Sequence, residues 1–283
     1  VATSPDIFSQ QWNPAKYAFA TSENGVSVSY TPYLSEIVND IFLGSLNYFH
    51  KIDDRSAAAA SLRYFSLGSI ETREIFEQMP ILVNPNELTF DVSYSLKLSD
   101  YISMAVAGRY LRSDLGLQDN EDLGPASTFG VDVAAYYQSA NLTFGGFDGQ
   151  WRLGANIANI GPKMKYDDAG QENFIPTNLK LVGGFDFIFD VDNKLGTYVE
   201  FNKLLVPTPQ DFNGDGQISA EDDLIYNETS SIGGIFESFG DAPDGFSEEL
   251  KEVTVAVGAE YWYQEKFALR AGYFNESDQK GFS

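Results

Sequence analysis

Between Leu88 and Leu98 every second residue is apolar: Leu88, Phe90, Val92, Tyr94, Leu96 and Leu98 alternate with Thr89, Asp91, Ser93, Ser95 and Lys97. A period of two puts successive side chains on opposite faces of an extended chain, so this stretch is a strand with one apolar and one polar face. The pattern recurs from Gly25 onward, for example at Val26/Val28/Tyr30, Ile102/Met104/Val106, Trp151/Leu153/Ala155/Ile157 and Val253/Val255/Val257. About eleven such strands are expected, most near the ~9–11 residues that cross an outer membrane at a tilt.

Alternation fits both a soluble β-sandwich and a transmembrane barrel, because either has one polar and one apolar face. The polar faces carry Arg63, Asp91, Arg109, Asp132, Arg152, Lys180, Asp186 and Glu260, with both signs mixed among small residues. Three features favour the barrel. Connections alternate between short (Ile52–Arg55, Ser99-Asp100, Asp190–Asn193, Gln264–Lys266) and long (68–86, 113–126, 161–173, 207–250), with the modest connection 34–40 as the exception, as in outer-membrane barrels. Aromatic residues, among them Tyr30, Tyr48, Phe49, Tyr136, Tyr137 and Trp151, sit at strand ends where interfacial girdles lie. Gly154, Gly184, Gly258, Ala105 and Ala107 fall on the polar side, as expected where backbone approaches a plug.

A net charge of −23 repels phosphates and excludes nucleic acid as a natural partner. There is no cysteine, and the lone His50 has no matched nucleophile or acid beside it, so no enzyme is expected. The chain opens at Val1-Ala-Thr-Ser without a charged and apolar leader, so any signal peptide is expected to be gone. Residues 1–24 lack either periodicity yet carry Phe8, Trp12, Tyr17 and Phe19, which must be buried in whatever follows.

Residues 207–250 contain no Lys or Arg and break the strand pattern. Asp211, Asn213, Asp215 and Asp222 stand at positions 1, 3, 5 and 12 of an EF-hand-like loop, with Gly216 at the sharp turn and the Gln217 carbonyl at position 7. Calcium needs several oxygens around one point, which this spacing supplies; a single loop with Asp as the last ligand implies a weak, structural site, on the order of ~10⁻⁴–10⁻³ M. No flanking helix pair is evident. Further on, Ile235, Phe236, Phe239 and Phe246 form an aromatic run expected to sit on a short helix or turn above the rim, partly exposed, as a docking surface.

The Asn13-Pro14-Ala15 turn resembles that of the N-terminal hatch of FadL-family outer-membrane barrels. Longer stretches, including Ser4–Tyr17, Leu153–Lys163, Ile175–Leu179, Ser238–Pro243 and Leu269–Phe274, are similar to the PorV (LptO) barrels of the Bacteroidetes type IX secretion system. That resemblance implies an all-β fold: an antiparallel transmembrane β-barrel with the hatch, residues 1–24, in the lumen and residues 25–283 as the wall. A barrel of this type has ~14 strands, so roughly three closing strands are expected to be missing from the sequence. It also implies a non-enzymatic carrier in a Gram-negative outer membrane, with its long loops extracellular. The implied partners are a SprA/Sov-like translocon barrel, secreted cargo bearing a C-terminal sorting domain, a PorU/PorQ/PorZ-like attachment complex and the lipid bilayer. The alternative is a FadL-type transporter of hydrophobic small molecules.

Overall fold

The computed structural model describes residues 2–34, 40–73, 79–115, 124–166, 172–243 and 245–275. A helical turn, α1 (Ser9–Trp12), and a 3-10 turn (Pro14–Phe19) precede the strands. These run β1 (Asn24–Pro32), β2 (Ile41–Lys51), β3 (Ser56–Leu67), β4 (Ile70–Thr72), β5 (Ile81–Val83), β6 (Asn86–Lys97) and β7 (Ile102–Asp114). After them come β8 (Ala126–Gln138), β9 (Leu142–Phe144), β10 (Phe147–Ile160), β11 (Asn178–Ile188) and β12 (Asn193–Leu204). Helices α2 (Ala220–Glu228), α3 (Ser231–Glu237) and α4 (Phe246–Glu249) separate β12 from β13 (Val253–Tyr263) and β14 (Phe267–Asn275).

Eleven of these strands are long, and each pairs antiparallel with the next long strand in chain order, from β1 to β14. β9 adds to the edge of β10, and β4 with β5 makes a separate small hairpin inside the long connection 68–85, which alternation over so few residues does not reveal. No pairing between β1 and β14 occurs among the described residues.

The sheet is nevertheless curled. Ala2 packs with Val182 and Tyr198 of β11 and β12, Ala15 packs with Ala105 and Ala134 of β7 and β8, and Tyr17 stacks on Phe49 of β2 at 4.9 Å. One short segment can touch both sides of an eleven-strand sheet only if the sheet wraps around it.

The face that packs on this segment is the polar one. Asp91, Asp132, Arg152 and Asp186 are buried, whereas Val92, Leu153, Leu181 and Phe201 on the alternate face are about half exposed. A protein with its charges inside and its aliphatic chains outside is built for a surrounding that is itself apolar. Aromatic clusters flank the outer face at both ends, with Tyr30, Phe42 and Tyr64 near the long connections and Phe144, Phe147, Trp151, Phe185 and Phe187 near the short turns. Two residues expected in these girdles are not there: Phe49 and Tyr136 have the inward parity of their strands and lie buried in the lumen. Position near a strand end does not set the face; register does.

Candidate functional site

The lumen contact is built on polar groups that the hatch cannot satisfy by itself. Asn13, at the start of the 3-10 turn, accepts from the Ala15 N–H (3.0 Å) and donates through Nδ2 to the Ala135 carbonyl (2.9 Å). Pro14 follows as the first residue of that turn, where its missing N–H costs nothing. The Ala15 carbonyl accepts from Ser103 Oγ at 2.7 Å, and the Trp12 carbonyl from Asn156 Nδ2 at 3.1 Å. Asn13, Pro14 and Ala15 are therefore brought together, capping a turn and tying it to β7 and β8.

Two charge clusters line the wall around the hatch. Arg109 of β7 bridges Asp91 of β6 and Asp132 of β8 (2.9 Å to the latter), with Arg63 3.7 Å from Asp91. Asn159 enters the same cluster: the β8–β10 register shifts between Ile157 and Ile160, Asn159 adopts φ 61°, its N–H donates to Asp132 (2.8 Å) and its side chain accepts from Arg109. Lower down, Arg152 joins Asp186 (2.7 Å) and the Tyr136 hydroxyl (2.8 Å), and Tyr198 donates to Asp186 at 2.9 Å. Buried charges are paired in this way because an isolated ion in such a site is prohibitively desolvated.

The other feature is the long rim segment between β12 and β13. It is clamped at its base by Lys203, whose ammonium reaches Glu249 and Glu252 (2.8 Å to the latter), while Asp241 accepts from the Thr208 N–H at 2.6 Å. Oxygens of Asp241, Glu249 and Glu252 converge within 4.8 Å of one another, with the Lys203 ammonium on two of them. Farther out the segment rests on the β10–β11 connection: Lys163 donates to the Asn227 carbonyl (2.9 Å) and lies 4.1 Å over the Phe174 ring, which meets Tyr226 edge-on at 5.2 Å. Burial pushes the Tyr226 hydroxyl up to about 12.

The acidic loop opens this segment. Asp211 accepts from the N–H groups of Gly214 (2.6 Å), Asp215 (3.1 Å) and Gly216 (2.6 Å), and Asn213 accepts from that of Asp215 (2.9 Å). Asp215 in turn accepts from the Gln217 N–H at 2.7 Å, and Gly216 turns the chain at φ 85°. Asp222 is the buried member. Its carboxylate accepts from the N–H groups of Phe212, Asn213 and Ser219 and from the Ser219 hydroxyl, closing a capping box at the start of α2. The backbone donor at Ser219, first among these, holds the Asp222 carboxyl below the ordinary carboxylate range. A helix thus follows the loop directly, where the sequence showed none, because Ser219 and Asp222 supply a local start signal.

Ile235 and Phe236 lie on α3, Phe239 just beyond its end and Phe246 at the first position of α4. Phe236 is 73% exposed, Phe239 50% and Phe246 77%, with Ile235 only partly covered. Sequence reasoning did not anticipate the Lys203 clamp or the Lys163–Phe174–Tyr226 seat; the charge isolation of Lys203 ahead of a basic-free stretch is the one signal that pointed to the clamp.

Comparison with solved structures gives a likeness to the Pseudomonas putida toluene transporter TodX, at 12% identity and a TM-score of 0.46, over 96% of this chain and 80% of that one. No curated protein sequence matches the chain. A family model described as type IX secretion system protein PorV matches residues 1–211, ending at the first acid of the rim loop. The inward charges, the lipid-suited outer face and this match over most of its length agree, and the chain belongs to the PorV family of type IX secretion system proteins.

Proposed function

We propose that this outer-membrane protein is a carrier subunit of the type IX secretion system that uses its rim segment, on the extracellular side, to engage a translocon barrel and cargo with a C-terminal sorting domain, then passes cargo to a surface attachment complex. The observation that carries the reading is the exposure of Phe236, Phe239 and Phe246 on a segment clamped to the wall by Lys203. Exposed aromatics held on a rigid base suit protein docking, since little ordering is left to be done on binding. Replacing Phe236 and Phe239 by alanine is expected to weaken co-purification of translocon or cargo while the barrel stays folded. Undiminished co-purification would assign these side chains to a cap over the lumen mouth instead.

We further propose that the acidic loop takes a calcium ion as part of this surface. Asp211, Asn213, Asp215, Gln217 and Asp222 keep the required spacing, and Gly216 has the required left-handed turn. Backbone donors already occupy the carboxylate oxygens of Asp211 and Asp222, so the ion would share or displace these hydrogen bonds while neutralising the acids of the loop. Chelation is expected to increase protease nicking between residues 207 and 250 without unfolding the barrel, and equal nicking with and without chelator would remove calcium from this account.

A further inference from the structure

The outward face of the wall is not evenly filled. Tyr137, Leu153 and Gly183 are direct neighbours in one row across β8, β10 and β11, and Ala135, Ala155 and Leu181 in the row beside it. Ala135, Ala155 and Gly183 are the low points of this grid, and they run together diagonally while Tyr137, Leu153 and Leu181 stand up around them. The result is a groove of about 470 Å³ on the membrane-facing side.

We propose that this groove seats one acyl chain of a phospholipid in the leaflet at the short-turn end of the wall. The groove is continuous with the apolar outer face, and Tyr137 is the one side chain of this grid with a polar atom, so a single hydroxyl is all it offers a partner's backbone. A flexible chain, in contrast, gains dispersion contacts on several sides at once in a groove of this shape. Position argues the same way: Tyr137 lies one residue from the short-turn end of β8, and the belt of Phe144, Phe147, Trp151, Phe185 and Phe187 on the same face marks the level of a headgroup. Short turns mark the periplasmic side of such a wall, so the lipid belongs to the inner leaflet.

The test fills the groove. A Cβ at Gly183 would meet only Leu153 Cδ2, at 3.8 Å, so a side chain can start there without a backbone clash, and Gly183→Phe directs a ring into the groove. The full chain, purified in detergent and titrated with phosphatidylethanolamine, is examined by native mass spectrometry. One retained lipid per wild-type chain is expected, with retention lowered about tenfold in Gly183→Phe and unchanged in Val131→Leu, which alters the outer face elsewhere. Ala155→Leu provides the same reading should Gly183→Phe fail to fold. Equal retention by filled and wild-type grooves, no retained lipid at all, or a bound protein in its place would each overturn the proposal.

Discussion

Arg109 illustrates how single residues carry this structure. It sits nearly buried between Asp91 and Asp132, so its removal leaves Asp132 without its salt-bridge partner and Asp91 with Arg63, 3.7 Å away, as its remaining counter-charge. Arg109→Met is expected to cost about 3–5 kcal/mol, read as a lower unfolding midpoint of the heat-modifiable folded band, and Asp91→Asn in the same chain is expected to recover part of it. Asp222 governs the rim in a pH-dependent way. Because its folded carboxyl is held below the ordinary range, its contribution is present above the unfolded value and is lost as pH falls through the depressed folded one. Protection of residues 211–228 against hydrogen exchange, relative to the intrinsic rate at each pH, is therefore expected to be high at neutral pH and to fall in acid, and Asp222→Asn to flatten that profile by lowering protection at neutral pH. The sequence made the inward charges legible as a set but not as pairs. Which acid meets Arg109 depends on cross-strand register and on the left-handed Asn159, and neither has a local signature.

At the level of elements, parity did most of the work. Alternation identified all eleven long strands and their outer faces because one face must meet lipid, and a one-residue slip would put Asp91 or Asp186 into the bilayer. Leu181→Arg or Val255→Arg is accordingly expected to destabilise the folded wall by roughly 2–4 kcal/mol where the site lies near the midplane. Resistance to denaturation equal to the parent in both variants would reverse the face assignment. The short strands escaped detection for a different reason: β4, β5 and β9 span three residues each. The aromatic run was expected on a short helix or turn, and it begins on α3, although α3 reads Ser-Ile-Gly-Gly-Ile-Phe-Glu and its paired glycines work against a helix. It forms because Ser230 caps it and because Gly234 packs closely on Pro207 and Phe174, where a Cβ would stand at 2.8–3.0 Å.

For the whole molecule the question is whether function passes through the lumen or over the rim. The hatch is tied to the wall by Asn13, Ala15 and Trp12 and packed between opposite sides of a curled sheet, so a route through the barrel requires these contacts to break. A route over the rim does not. The two can be separated by locking the hatch. Ala15 and Ala105 lie in one buried cluster, and the chain has no cysteine of its own, so Ala15→Cys with Ala105→Cys places two thiols in that cluster, and a mobility shift between reducing and non-reducing conditions shows whether they cross-link. Carriage over the rim predicts that the oxidised barrel still captures translocon and cargo as fully as the reduced one. Passage of a hydrophobic small molecule through the lumen predicts that oxidation stops uptake and reduction restores it. Capture lost only on oxidation would mean that the hatch must move for docking, coupling Asn13–Ala15 to the rim rather than leaving them a passive plug.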